Sequence, residues 1–195
     1  MLPGVNTGTP TNPTVWGPEV EIANRWLADH PTENLWIDKI AKGSTGLAQD
    51  STQLDWSPHS TGEMYDIATA SVHAAQANLN GTPYAFTNWN AIEWMQGETD
   101  ATDLAKANAY AANLAEFATD ARADWNAPEL VVGRITDTAG AYNLTVRQAQ
   151  FGDDQTDSQM VSFKTIGFEM QADNLHYDAT GQIQLGNAFY DAFAI

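Results

Sequence analysis

Residues 94–100 read Trp94-Met95-Gln96-Gly97-Glu98-Thr99-Asp100. The apolar, aromatic stretch from Tyr84 to Met95 has strand character, and it runs straight into an amide, a glycine and a carboxylate. Asp100 then opens a long alanine-rich segment that reads as a helix to Trp125, where Asn126-Ala127-Pro128 stops it. A strand that ends in polar residues and turns into a helix is the first half of a βαβ unit. The next half follows at once, with a compact apolar strand over 130–135 that contains Val131 and Val132.

Outward from this unit the alternation continues. Residues 1–15 are rich in Pro, Gly, Thr and Asn and read as loop. Gly17-Pro18-Glu19 opens an amphipathic helix with Val20, Ala23, Trp26 and Leu27 on one face. A short strand is expected over 35–41, then a loop at Lys42-Gly43-Ser44-Thr45-Gly46. A helix is expected over 62–80, ended by the Asn80-Gly81-Thr82-Pro83 turn. Beyond the central unit come a short helix at 146–151, a strand at 160–164 and a last helix at 181–193. Strands alternating with helices predict an α/β fold, a mostly parallel sheet covered on both faces. The whole of 1–195 reads as one domain, long enough for a full core.

Composition narrows the function. The apolar fraction is 43% with seven Trp, which suits a folded globule. Cysteine is absent, so disulfides, thiol nucleophiles and Cys-ligated metals are excluded. The formal net charge is −17 with eight Lys and Arg, which repels nucleic acid and disfavours an anionic membrane surface. No apolar run approaches about 18 residues, so no helical membrane span is expected. None of the four His has metal-ligand spacing with another His or a carboxylate pair, and no metal or other cofactor is expected.

In parallel sheets, sites form at the carboxyl ends of the strands. Three polar segments follow predicted strands: residues 42–46, residues 96–100, and Asp173-Asn174-Leu175-His176. Asp173 stands three residues before His176, the arrangement of a carboxylate that holds a general base. The same spacing also suits a surface Asp beside a capping His. Gln96 could donate through its side-chain amide, and Gly43 through its backbone N–H. Each could equally be an ordinary loop residue. Glu98 could orient a neighbouring group or cap the following helix. Ser44 is the one serine in a chemically suggestive loop, although a turn serine bonding local backbone would look the same.

Together these segments resemble the SGNH hydrolases, in particular the sialate O-acetylesterase-like branch with its acetylxylan-esterase relatives. The Trp-x-Gln-Gly-Glu-x-Asp block lies at 94–100 and the Gly-Pro-Glu helix start at 17–19. A Lys-Gly-Gly-Thr loop is matched by Lys42-Gly43-Ser44-Thr45, and an Arg-x-x-Gln element by Arg147 and Gln150. Asp-x-x-His closes the set at Asp173 and His176. The resemblance implies a flavodoxin-like three-layer sandwich and removal of O-acetyl groups from an acetylated carbohydrate. It would make His176 the base, Asp173 its partner, and Gly43 and Gln96 the oxyanion donors. Ser44 departs from it, since a second glycine is usual there.

The larger departure is at the start. The nucleophile implied by the resemblance lies in a Gly-Gln-Ser-Asn-Met block directly after the first strand, and the chain begins Met1-Leu2-Pro3-Gly4. Met1 is therefore expected to be the Met of that block, with the serine and the first strand missing. An upstream segment would leave an extracellular or virion-associated location open. The alternative to an esterase is a non-catalytic carbohydrate-binding module on the same scaffold. Exposed aromatics such as Trp56 or Trp89 would then contact sugar.

Overall fold

A computed structural model describes residues 16–193; the predicted loop at 1–15 and the reading of Met1 lie outside them. Eight regular elements follow one another along the chain, alternating between strand and helix from the first strand on. They are α1 (Glu19–Asp29), α2 (Met64–Leu79), β1 (Ala91–Met95), α3 (Leu104–Trp125), β2 (Glu129–Gly133), α4 (Asn143–Thr156), β3 (Met160–Phe163) and α5 (Ala179–Phe193). A 3₁₀ turn at Asp100–Thr102 joins β1 to α3.

The three strands pair in the order β1-β2-β3, all parallel, with Trp94 opposite Val132 and Val132 opposite Ser162. Helices cover both faces, as the sequence predicts. Successive side chains of a strand point to opposite sides. Ile92, Trp94, Leu130 and Val132 thus join Tyr110, Leu114 and Phe117 of α3 in the larger core, which α2 also enters through Tyr65 and Ala68. Val131 faces the other way, against Ile22 of α1 and Leu185 and Phe189 of α5. Burial on both faces explains why β2 is apolar throughout instead of alternating.

α3 has clear end signals. Asp103 caps its start, its side chain accepting from Lys106 N at 3.0 Å. Asn126 ends it in the left-handed region at φ 52°. The first and last helices are clasped together. Arg25 Nη1 donates to Asn187 Oδ1 at 3.2 Å and pairs with Asp191, and Tyr190 donates to Asp29 Oδ2 at 2.7 Å.

One expectation fails. Residues 35–41 form no strand: they make no ladder bonds among the described residues, and Trp36 and Ile37 stay 43% exposed. Strand propensity is not enough without an adjacent edge to pair with. This segment instead lines one wall of a cleft whose opposite wall is the free edge of β1. The strand expected within 84–95 occupies its last five residues, Ala91–Met95, after a series of tight turns over 79–85.

Candidate active site

The chemistry-bearing segments meet at the carboxyl ends of the strands. Gly43, Ser44, Gln96, Glu98 and His176 line one continuous cleft of about 1590 Å³. The cleft runs on between residues 35–41 and β1, with Ile37, Ile40, Ile92 and Glu93 along its sides.

His176 sits in a loop closed by local hydrogen bonds. Gln171 N donates to His176 O at 2.7 Å, and Met170 and Tyr177 form an antiparallel bridge. Asn174, at φ 54°, makes the turn and its carbonyl accepts from Thr138 Oγ1. Asp173 Oδ1 accepts from the backbone N–H of Leu175 and His176 at 2.9 and 3.0 Å. Its Oδ2 lies 2.7 Å from His176 Nδ1. The bond to the imidazole, joined by the two backbone amides, holds the Asp173 carboxyl well below the usual carboxylate range. It is therefore ionised at neutral pH and fixes Nδ1 as the protonated nitrogen. His176 Nε2 has no hydrogen-bond partner among the described residues and is left to accept a proton.

The second wall is built by the 94–100 block. Gln96 is 7% exposed. Its Nε2 donates to Thr45 O at 3.1 Å and to Asp100 Oδ2 at 2.7 Å. Asp100, fully buried, also accepts from the backbone N–H of Leu47 at 2.8 Å and of Ala48 at 3.0 Å. Behind Gln96, the Tyr110 hydroxyl lies 2.9 Å from Gln96 O and 3.1 Å from Oε1. Gln150 Nε2 donates to Gln96 O at 2.9 Å, and its Oε1 accepts from Ile135 N at 3.0 Å. Gly97 is required here. At φ +137°, a Cβ would lie 2.9 Å from Val146 Cγ1 and 3.1 Å from Ile135 Cγ2.

Glu98 does not cap α3, whose cap is Asp103, and among the described residues it forms no hydrogen bond with another side chain. Burial in the cleft, with the charge of Asp100 nearby, pushes its carboxyl up, partly countered by His176. Ser44 stands in the left-handed region at φ 62° and makes no side-chain hydrogen bond among the described residues. It is the single described serine on the cleft wall. Gly43 is exposed, and a Cβ there would meet nothing within 4 Å. Trp56, which only the binding-module alternative would place against sugar, is a core residue: it is 6% exposed and packs edge-on against Trp94 at 5.1 Å. Its indole N–H is spent on Thr45 Oγ1 at 3.0 Å.

Sequence reasoning gave Tyr110 no role, and Asp100 entered only as the end of the 94–100 block. Gln150 entered only as part of a motif. The signal was present, since Gln150 falls four residues after Val146 on the buried face of α4, where a polar residue requires a partner.

A three-layer α/β sandwich on an all-parallel sheet defines a flavodoxin-like fold of the SGNH type. Residues 7–195 match the carbohydrate esterase, sialic acid-specific acetylesterase family, and the chain belongs to that family. A probable carbohydrate esterase of Arabidopsis thaliana is 33% identical over 104 residues, which are 53% of this chain and 39% of that protein. The solved structure of an Arabidopsis protein superposes with a TM-score of 0.75 at 26% identity, covering 92% of this chain and 68% of the other. The chain thus spans about two fifths of the length of the curated relative it matches.

Proposed function

We propose that this chain provides the acid–base pair and the oxyanion loop of a serine-type esterase that removes O-acetyl groups from a carbohydrate. The observation that carries the reading is the 2.7 Å Asp173–His176 contact on a cleft shared with Gly43 and Gln96. Family membership supports the carbohydrate ester as substrate class.

In this reading His176 Nε2 takes the proton of a serine hydroxyl as its oxygen attacks the acetyl carbonyl. The oxyanion sits at the 43–48 loop. His176 then hands the proton to the departing sugar oxygen, and water repeats the sequence on the acetyl-enzyme. Asp173 stays ionised and holds the imidazole. In this reading Ser44 is not the nucleophile: it is the single described serine on the cleft wall, and it makes no hydrogen bond to His176 among the described residues.

The test compares chain 1–195 with a fusion that places an apolar strand and Gly-Gln-Ser-Asn ahead of Met1. Chain 1–195 is expected to hydrolyse an aryl acetate at the rate of the uncatalysed background. The fusion should turn it over, and His176→Ala in the fusion should remove about 10³-fold or more of that rate. A folded but inactive fusion would overturn the reading, as would turnover indifferent to His176.

A further inference from the structure

We infer that Thr138, in the loop after β2, is a positioning residue for the Asp173–His176 pair and acts through the peptide group between Asn174 and Leu175. Its consequence for turnover rests on the esterase reading above.

The loop that carries the pair has little else to hold it. Its ends are closed by the Met170–Tyr177 bridge, and Tyr177 is buried in the core on the α1 and α5 side of the sheet. Between those ends every residue from 171 to 176 is exposed. Packing therefore does not fix the direction of the tip. The hydrogen bonds of residues 171–176 stay within 170–177, with a single exception among the described residues. Thr138 Oγ1 donates to Asn174 O at 2.5 Å.

The segment from which that bond comes is itself anchored. Ile135 N donates to Gln150 Oε1 at 3.0 Å, and Tyr142 N to Ala101 O at 2.8 Å. Between them Ala139 is fully buried and Thr136 is 6% exposed. A hydroxyl carries one proton. With that of Thr138 given to Asn174 O, its oxygen is left to accept from Thr136 Oγ1 at 3.2 Å, which orients it from the buried side.

The effect reaches His176 in short steps. A peptide group is planar, so holding the Asn174 carbonyl fixes the direction of the Leu175 N–H on the same group. That N–H donates to Asp173 Oδ1 at 2.9 Å, and Asp173 Oδ2 meets His176 Nδ1 at 2.7 Å. Asn174 stands at φ 54°, a left-handed conformation that asparagine tolerates but does not enforce. Released, it is free to turn, and the carboxylate leaves the imidazole with it.

Backbone relaxation of ¹⁵N-labelled chain 1–195 tests the tether without needing activity. The Leu175 and His176 amides should show order parameters of about 0.85, as rigid as β2. In Thr138→Val, which keeps the shape and loses the hydroxyl, they should fall below about 0.6 while β2 is unchanged. Thr138→Ser should restore them. Thr138 is exposed, so neither variant threatens the fold. Order parameters below about 0.6 in the unaltered chain, or unmoved in Thr138→Val, would overturn the inference. In the serine-bearing fusion, Thr138→Val should lower kcat about tenfold or more at unchanged KM, with Thr138→Ser within about twofold of the parent. A loss confined to KM would make Thr138 a substrate contact and overturn its positioning role. Absence of turnover would count against the esterase reading alone, and the order parameters would still decide the tether.

Discussion

Gly97 and Gly43 stand in motif segments of equal apparent weight, yet they answer to different physics. Gly97 lies in a backbone region closed to other residues and is packed against Val146 and Ile135. Gly97→Ala should therefore lower stability by about 2–4 kcal/mol, read from urea denaturation, through combined strain and overpacking. Gly43 has no positive φ and open space where a Cβ would go. Gly43→Ala should stay within about 0.5 kcal/mol of the parent, so any loss of turnover it causes reports on the cleft and not on folding. Asp173 and His176 were legible from spacing because their contact is local, three residues apart in a single loop. The roles of Gln96 and Asp100 were not, because their partners Thr45, Leu47 and Ala48 lie some fifty residues away and only the folded chain brings them together.

Among the elements, those that carry their own start and stop signals were readable. α3 has its cap in Asp103 and its stop in Asn126, and Asp103→Ala should cost about 1 kcal/mol of stability, measurable as a lowered denaturation midpoint. β2 was readable as a continuous apolar run. Residues 35–41 have similar composition but form no strand, since pairing depends on a neighbour the local sequence does not specify. Where this segment faces β1, a carboxylate is exposed to an unusual environment. Crowding by the cleft walls, with Glu19 close by, pushes the Glu93 carboxyl up even though the residue keeps solvent access. On α4, burial beside Asp157 raises Asp153 to about 6. Folded groups that hold their protons more tightly than the unfolded chain favour the fold at low pH. That contribution is fully present below the ordinary carboxylate range and is lost as pH rises through the folded values. Stability should accordingly fall between about pH 4.5 and pH 7, and Glu93→Gln should flatten the fall in denaturation midpoints measured across that range.

At the scale of the whole molecule, a formal charge of −17 acts against compactness. Added salt shortens the reach of that repulsion from about 30 Å at 0.01 M to a few Å near 1 M. The thermal midpoint should rise with sodium chloride over this range, and a midpoint that falls would show that specific ion pairs outweigh the net repulsion. The clasp between α1 and α5 has a different kind of consequence. Some 150 residues separate the end of one helix from the start of the other. At about 5–20 residues per second a ribosome needs roughly ten to thirty seconds to cover that distance. Throughout that interval Ile22 and Trp26 emerge with nothing to lie against, so the nascent chain offers a holdase chaperone an apolar stripe that the finished protein conceals.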